Sequence, residues 1–281
     1  MKILFISDFS LHHSVGGAQR SNDIIFKEGL RRGHTITMLH IDMDYSNILN
    51  KEFDLVISSN MESFFTYKKE VFEYCCNARK HVRLEHDMCR YLDPESRKRL
   101  FNNCDISFFL TSHHINKFIE SYGDIFKNVT IVPDPIDGSV FYNRNEPRKN
   151  RILYTGFMHK LKGTENFINF AIANPELMFT VAGWGPEVYE NFMKSNYNID
   201  FLGKVDYNDM PKLYNSHDAM FCYPEMDEPF CRSVGEAIAC GIEKFICNDK
   251  IGSLNMAHED KDFIFKCNKA HETFWEKCEN V

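Results

Sequence analysis

Glu228 and Glu236 stand eight positions apart in the run Glu228-Pro229-Phe230-Cys231-Arg232-Ser233-Val234-Gly235-Glu236, which continues through Ala237-Ile238-Ala239-Cys240 to Gly241. The run predicts a short loop turning into a helix that closes at Gly241, the residue type that tolerates a left-handed cap. The first N–H groups of such a helix have no intrahelical acceptor and form an anion site. Carboxylates on either side of an anion site imply a ligand with hydroxyls as well as charge, and a sugar nucleotide has both. Glu228 would take hydroxyls of the sugar, Glu236 those of the ribose, and the N–H groups between them the phosphates. Gly16-Gly17, just before a helical pattern, would let a phosphate or an acceptor approach the backbone closely.

These residues need elements to position them. Lys2–Ser7 is a short apolar run typical of a buried parallel strand. Strand patterns recur at residues 34–40, 54–58, 81–84, 106–111 and 129–132, alternating with helical stretches at 18–32, 63–76, 94–102 and 112–122, the last with a Ser cap. Gly33 closes the first helix as a C-terminal cap. Pro133-Asp134-Pro135 and the polar residues 143–150 break the rhythm. It restarts with strands at 152–155, 177–182, 199–202, 219–222 and 244–247, with helices after Gly163, after Gly183-Trp184-Gly185-Pro186, at 209–215 and in the Glu228 run. Residues 270–278 read as a short amphipathic helix. Two successive βαβα patterns predict two parallel sheets with helices on both faces. Ligands of such sheets sit beyond the C-terminal strand ends, and Gly16-Gly17, His86-Asp87, the 156–163 loop and Glu228 all follow strands.

A chain of 281 residues with 43% hydrophobic content can bury one large core or two moderate ones. The net charge is −7, and neither half is basic: Lys+Arg number 18 against 20 Asp+Glu before residue 147, and 15 against 20 after it. A nucleic-acid partner is therefore not expected. Arg97-Lys98-Arg99 and Arg148-Lys149-Asn150-Arg151 read as solvated faces or linker. The ten cysteines show no C-x-x-C or paired ligand spacing and read as free thiols of a reducing compartment. The N-terminal apolar run is too short for a signal peptide, and no segment reaches the ~20 apolar residues that span a bilayer. The expectation is a cytoplasmic protein, with peripheral membrane contact left open.

With these residues located, nearly the whole chain resembles the retaining glycosyltransferases of family four, the group 1 glycosyl transferases of the GT-B fold. Three stretches carry the resemblance. Gly16-Gly17-Ala18-Gln19-Arg20 with Leu30-Arg31-Arg32-Gly33-His34 is similar to that family's opening. Val132-Pro133-Asp134-Pro135-Ile136-Asp137 with Phe141 is similar to its domain junction. Gly203-Lys204-Val205, Leu213-Tyr214, Pro224 and residues 228–241 are similar to its donor site. The resemblance implies two tandem Rossmann-like domains facing a central cleft: residues 1–146 on the acceptor side, and residues 147–281 binding the nucleotide sugar. The last helix would return to the first domain.

By the same resemblance Glu236 binds the ribose, and Glu228 with the N–H groups of Phe230, Cys231, Arg232 and Ser233 holds the donor sugar and phosphate. Lys162, before Gly163, is the lysine of the phosphate clamp. Gly156 opens that loop, and backbone near Val205 meets the base. His86, in Arg83-Leu84-Glu85-His86-Asp87, matches a histidine at the cleft face that bonds a donor-sugar hydroxyl or supports the oxocarbenium-like centre. The residue-level alternative is a histidine held by Asp87. Where the family places an arginine after Gly156, this chain has Phe157. Arg232, His159 or Lys160 would substitute, and Arg232 is favoured because it lies inside the anion loop. Asp42-Met43-Asp44 reads as an acidic loop rather than a metal-binding pair, and no metal or other cofactor is expected. The implied activity is retaining hexosyl transfer from a nucleoside diphosphate sugar to a glycan, lipid-linked or small-molecule acceptor, as in polysaccharide biosynthesis. A sugar-nucleotide epimerase and a non-catalytic sugar-nucleotide or glycan-binding module stay open beside it.

Overall fold

The computed structural model describes residues 1–10, 16–59, 65, 67–88 and 92–281. They form two compact units, Met1–Pro135 with Phe265–Val281, and Ile136–Ile264.

The first unit is built on strands β1 (Lys2–Ser7), β2 (Thr35–Leu39), β3 (Leu55–Ser59), β4 (His81–Leu84), β5 (Ile106–Phe109) and β6 (Val129–Ile131), joined through α1 (Gly17–Arg31), α2 (Ser46–Leu49), α3 (Lys69–Cys76), α4 (Pro94–Asn102) and α5 (Ser112–Tyr122). The sheet runs β2-β1-β3-β4-β5-β6, with every pairing parallel. The order reverses beside β1, so successive crossovers lie on opposite faces and the strands are covered on both. That is why β3, and β1 after the exposed Lys2, are apolar or small rather than alternating. Phe101, Phe109, Phe118 and Phe126 form an aromatic knot on one face, with Phe109 and Phe126 edge to face at 5.0 Å.

Local chemistry sets the helix ends. Thr111, not Ser112, caps α5: its backbone is extended and its hydroxyl accepts from the His114 N–H at 3.0 Å. Ser63, Phe64 and Thr66, at the start of the helix predicted at 63–76, lie outside the described residues. Arg97 is no solvated charge. It is buried, its guanidinium lies 3.7 Å from the Tyr122 ring centroid, and it donates to the Leu92 carbonyl.

The second unit carries β7 (Lys149–Phe157), β8 (Phe179–Trp184), β9 (Ile199–Gly203), β10 (His217–Cys222) and β11 (Lys244–Cys247), with α6 (Thr164–Ala173), α7 (Glu187–Ser195), α8 (Met210–Asn215), α9 (Arg232–Ala239) and α10 (Gly252–Glu259). Its parallel sheet runs β11-β10-β7-β8-β9. The order switches direction between β7 and β10, which makes their C-terminal ends the place where an open α/β sheet leaves a crevice. Tyr154, Phe167, Phe179 and Phe221 pack the core on one side, Tyr154 stacked on Phe167 at 4.6 Å.

Two sequence expectations change here. β7 begins at Lys149, inside the stretch read as linker, because Lys149 pairs with His217. Arg148 donates to the carbonyls of His217 (2.8 Å) and Cys240 (2.9 Å), so it ties β10 to the C-terminal end of α9. The helix α10 has no counterpart in the sequence reading.

The last helix, α11 (Phe263–Glu279), is longer than the predicted 270–278. Trp275 is fully buried in the first unit, and its indole N–H donates to the Ile25 carbonyl at 2.7 Å. It lies on Gly29, where an added Cβ would come within 2.3 Å of the indole ring. Arg32 and His34 both reach Glu279, at 3.0 and 2.9 Å.

Candidate active site

Three segments of the second unit meet at the β7/β10 switch. The first follows β7. A 3₁₀ turn, Lys160–Lys162, ends at Gly163, which is left-handed at φ +81 and also begins α6. A Cβ at Gly163 would lie 2.0 Å from the Tyr223 carbonyl oxygen, so dihedral and space both require glycine. The close approach docks this loop onto the segment after β10, where the N–H of Glu225 donates to Leu161 O at 3.0 Å.

The second segment carries Glu228. Its N–H donates to Lys250 O at 2.8 Å, and its carbonyl accepts from Gly252 N at 2.9 Å. The carboxylate accepts from Lys162 Nζ at 2.6 Å, with the Glu228 side chain nearly buried and the ammonium about half exposed. Lys162 and Glu228 are therefore one charged pair, not two separate ligand groups. An ammonium has three donors and can serve a carboxylate and a phosphate oxygen together.

The third segment is the turn into α9. Cys231 is its N-cap, at φ +66 and ψ +79, a conformation that costs a non-glycine residue roughly 1–3 kcal/mol. No side chain caps the helix, and its first turn holds no acidic residue. Phe230 is buried, its carbonyl accepts from Ser253 N at 2.8 Å, and the Ser253 hydroxyl donates to Cys231 O at 3.3 Å. The Cys231 thiol sits 3.8 Å from that of Cys222 and 3.6 Å from the Ser233 hydroxyl. The Cys222 contact draws the Cys231 thiol below its ordinary value. The helix closes in a Schellman motif: Gly241, at φ +86, donates to Ile238 O and Ile242 to Ala237 O.

Arg232 and Glu236 form a second pair, one turn apart. Arg232 Nε donates to Glu236 Oε1 at 2.9 Å, with both side chains buried. Tyr207 donates to the same oxygen at 3.0 Å and Tyr214 to the other at 3.4 Å. Burial, with the Glu236 charge next, pushes the Tyr207 hydroxyl up to about 12. Arg232 is thus turned along its own helix onto a carboxylate, where the sequence reading had it facing the anion loop. The helical spacing of four made that pairing available. Val205 lies in the loop after β9, partly buried, two residues before Tyr207. Gly156 is the penultimate residue of β7, paired with Gly183 of β8.

The sequence model of the family described as glycosyl transferases group 1 matches residues 139–280, half of the chain. This chain belongs to the group 1 glycosyltransferases. Solved structures of the same fold accompany the match. HepE of Anabaena, in complex with UDP and glucose, is 16% identical over 98% of this chain and 94% of that one, with a TM-score of 0.63. A glycosyltransferase of Rickettsia africae is also 16% identical, over 97% and 91%, with a TM-score of 0.66. An alpha-glucosyltransferase in complex with UDP and a 13-mer DNA is 13% identical over 97% and 94%, with a TM-score of 0.62. Among curated proteins no sequence match is found. At these identities the structures establish the shared GT-B architecture of two parallel α/β sheets.

In the first unit of this group 1 glycosyltransferase, Gly16 is the N-cap of α1 and Gly17 its first residue. His86 follows β4 and is buried between Asn22 Oδ1, 3.1 Å from its Nε2, and Asp134 Oδ1, 3.3 Å from its Nδ1. Asp87 is not its partner: the Asp87 carboxylate accepts from Met88 N, and its carbonyl faces His114 Nε2 at 2.8 Å. Arg83 and Glu85 form a wholly buried ion pair. Asp44 accepts from the N–H of Ser46 at 2.9 Å, the work of a turn-forming aspartate.

Two groups of positioning residues escape sequence reasoning. Tyr207, from the loop after β9, holds Glu236 together with Tyr214 of α8, which the donor-site resemblance includes without a role. Lys250, Gly252 and Ser253 fix the backbone of the Glu228 turn. For the second group the sequence carries no start signal, since the N-cap of α10 is Ile251 rather than a polar capping residue.

Proposed function

We propose that this group 1 glycosyltransferase moves a hexose from a nucleoside diphosphate sugar to an acceptor hydroxyl, with retention of anomeric configuration and without a metal ion. The observation that carries the reading is the Lys162–Glu228 pair at the β7/β10 switch, beside the uncapped turn into α9. The helix N-terminus suits the diphosphate. The Lys162 ammonium would oppose the charge that builds on the leaving phosphate as the glycosidic bond breaks. Glu228 would orient the ammonium and accept from sugar hydroxyls. Glu236, which accepts from Arg232, Tyr207 and Tyr214, would take a ribose hydroxyl in exchange for one of the tyrosine contacts. The acceptor oxygen would attack from the face the phosphate leaves, giving up its proton to that phosphate. HepE, a protein of the same fold, binds UDP and glucose.

The first unit, with Gly16, Gly17 and His86, is the acceptor-side unit in this reading. The Asn22 side chain, hydrogen-bonded to Nε2, orients the His86 ring, with the Asp134 carboxylate 3.3 Å from Nδ1. The acidic composition argues against a nucleic-acid acceptor; the family resemblance points to a glycan, lipid-linked or small-molecule acceptor in polysaccharide biosynthesis, and the free thiols to a cytoplasmic enzyme.

A second reading, a non-catalytic sugar-nucleotide-binding module, is favoured by one finding. Phe157 stands where the family has an arginine, and Arg232 is engaged with Glu236 rather than offered to the ligand. One experiment separates the two. The protein is melted against UDP-, GDP-, ADP-, CMP- and TDP-sugars with and without a chelator, and the stabilising donor is then assayed for sugar transfer and slow donor hydrolysis. Stabilisation independent of chelator, with turnover, is the expected result. Stabilisation without turnover favours the binding module, and no stabilisation by any donor refutes both.

A further inference from the structure

The C-terminal end of the second sheet carries aromatic surface that the phosphate site does not use. Phe157, the last residue of β7, and Trp184, the last residue of β8, are register partners on adjacent parallel strands. Partners in register project from the same face of a sheet, side by side. Their ring centroids are 6.0 Å apart, and Phe157 also stacks on His159 at 6.2 Å with planes 14° apart. Both stay open to solvent, Phe157 at 46% and Trp184 at 37% exposure. Lys204, just after β9, brings its ammonium to 5.2 Å from the indole centroid.

Trp184 is held firmly for an exposed residue. Its carbonyl accepts from Met158 N at 2.7 Å. Both flanking residues are glycines pressed on the end of β7: a Cβ at Gly183 would lie 2.4 Å from Gly156 O, and one at Gly185 would lie 2.5 Å from Met158 O. The turn thus approaches β7 closely and presents one side chain, a large aromatic, to solvent beside Phe157.

In an open α/β sheet the phosphates of a bound nucleotide lie at the turn after the unit's first strand, and the nucleoside lies toward the end of the second. Here the first strand is β7, whose following loop carries Lys162, and the second is β8, which ends at Trp184. Resting on the donor-site reading above, we infer that Trp184, with Phe157 beside it and Lys204 against it, is the stacking platform for the nucleobase of a nucleoside diphosphate donor. A π face takes any base by its area rather than by its hydrogen-bond pattern. Phe157 thereby extends an aromatic shelf at the position where an arginine would have extended the phosphate clamp.

The test uses the chain's two tryptophans, one on the shelf and one buried in the first unit. Nucleoside diphosphate should quench or shift the emission of the native protein and leave that of Trp184→Phe, which reports Trp275, unchanged. Trp184→Ala should weaken nucleoside diphosphate binding by about 5- to 150-fold, the range found for base stacking, with inorganic pyrophosphate bound as in the native protein. Trp184→Phe, which keeps an aromatic face, should retain most of the affinity. Equal nucleotide affinity in Trp184→Ala, or native emission unmoved by a nucleotide that binds, overturns the platform while leaving the donor site standing. Parallel loss of pyrophosphate binding assigns Trp184 a structural role and also overturns it. Failure of nucleotide and pyrophosphate alike to bind the native protein overturns the donor site and the platform together.

Discussion

Lys162→Ala should cost turnover heavily and stability little. Lys162 Nζ lies 2.6 Å from Glu228 Oε1. At an effective dielectric of ~20 that contact is worth about 6 kcal/mol of bare Coulomb attraction. The ammonium is 48% exposed, however, so water and side-chain entropy offset most of it, and pairs of this kind contribute about 1 kcal/mol or less to folding. The melting temperature should therefore fall by only a few degrees. The catalytic term differs because it acts where charge develops. Loss of one preorganised donor to a developing anion typically costs ~2.7–4 kcal/mol, or about 100- to 1,000-fold in kcat. Truncation also leaves the Glu228 carboxylate unopposed near the departing phosphate, which pushes in the same direction. The assay is steady-state transfer beside calorimetric donor binding and a thermal melt of the same preparation. The expected signature is a kcat loss much larger than the loss of donor affinity. A variant that loses several kcal/mol of stability, or whose kcat and donor affinity fall together, would refute the leaving-group role and make the pair a structural clasp.

Gly163→Ala should destabilise the second unit by about 1–3 kcal/mol or more, since it needs a left-handed residue and brings a Cβ against the Tyr223 carbonyl. Urea titration checks this, and an unchanged midpoint would mean that the loop is not docked as described. The first unit should be acid-sensitive in a defined window. His81 and His114 are fully buried, and burial lowers both from 6.5 to about 3. The unfolded chain takes up two protons that the folded unit does not, so stability falls as pH drops from about 6.5 toward 3, by up to ~2.7 kcal/mol per pH unit. His81→Gln should roughly halve that slope in urea midpoints measured against pH.

Much of this was legible in the sequence because local rules wrote it. Gly33 and Gly241 sit in left-handed caps because the Schellman motif needs φ > 0 within one turn of the helix end. Continuous apolar runs marked strands covered on both faces, and β1 lies within the residues proposed for it. The loop-to-helix turn at residues 228–241 was visible in its residue order. Less visible was α10, whose N-cap Ile251 offers no polar side-chain cap. The start of β7 was hidden in a charged run because its strand character comes from pairing with β10, not from its own pattern. Charged residues misled for a related reason. Arg97 and Arg148 look solvated in sequence, yet a guanidinium is drawn inward wherever carbonyls or an aromatic face lie within its reach.

The sequence by itself determined which groups this protein has for binding a hydroxylated anion: two glutamates, a lysine before glycine, and a helix start between them. Tertiary structure decided their partners. Lys162 meets Glu228 across 66 positions because a glycine lets the β7 loop dock on the backbone after β10. Arg232 turns to Glu236 because Tyr207 and Tyr214, from other elements, bury that carboxylate, and a buried charge needs a counter-charge close by. Caps and periods are set by hydrogen bonds spanning a few residues, so sequence order carries them. Pairing of distant charges is set by burial, which exists only once the sheet has brought its strand ends together.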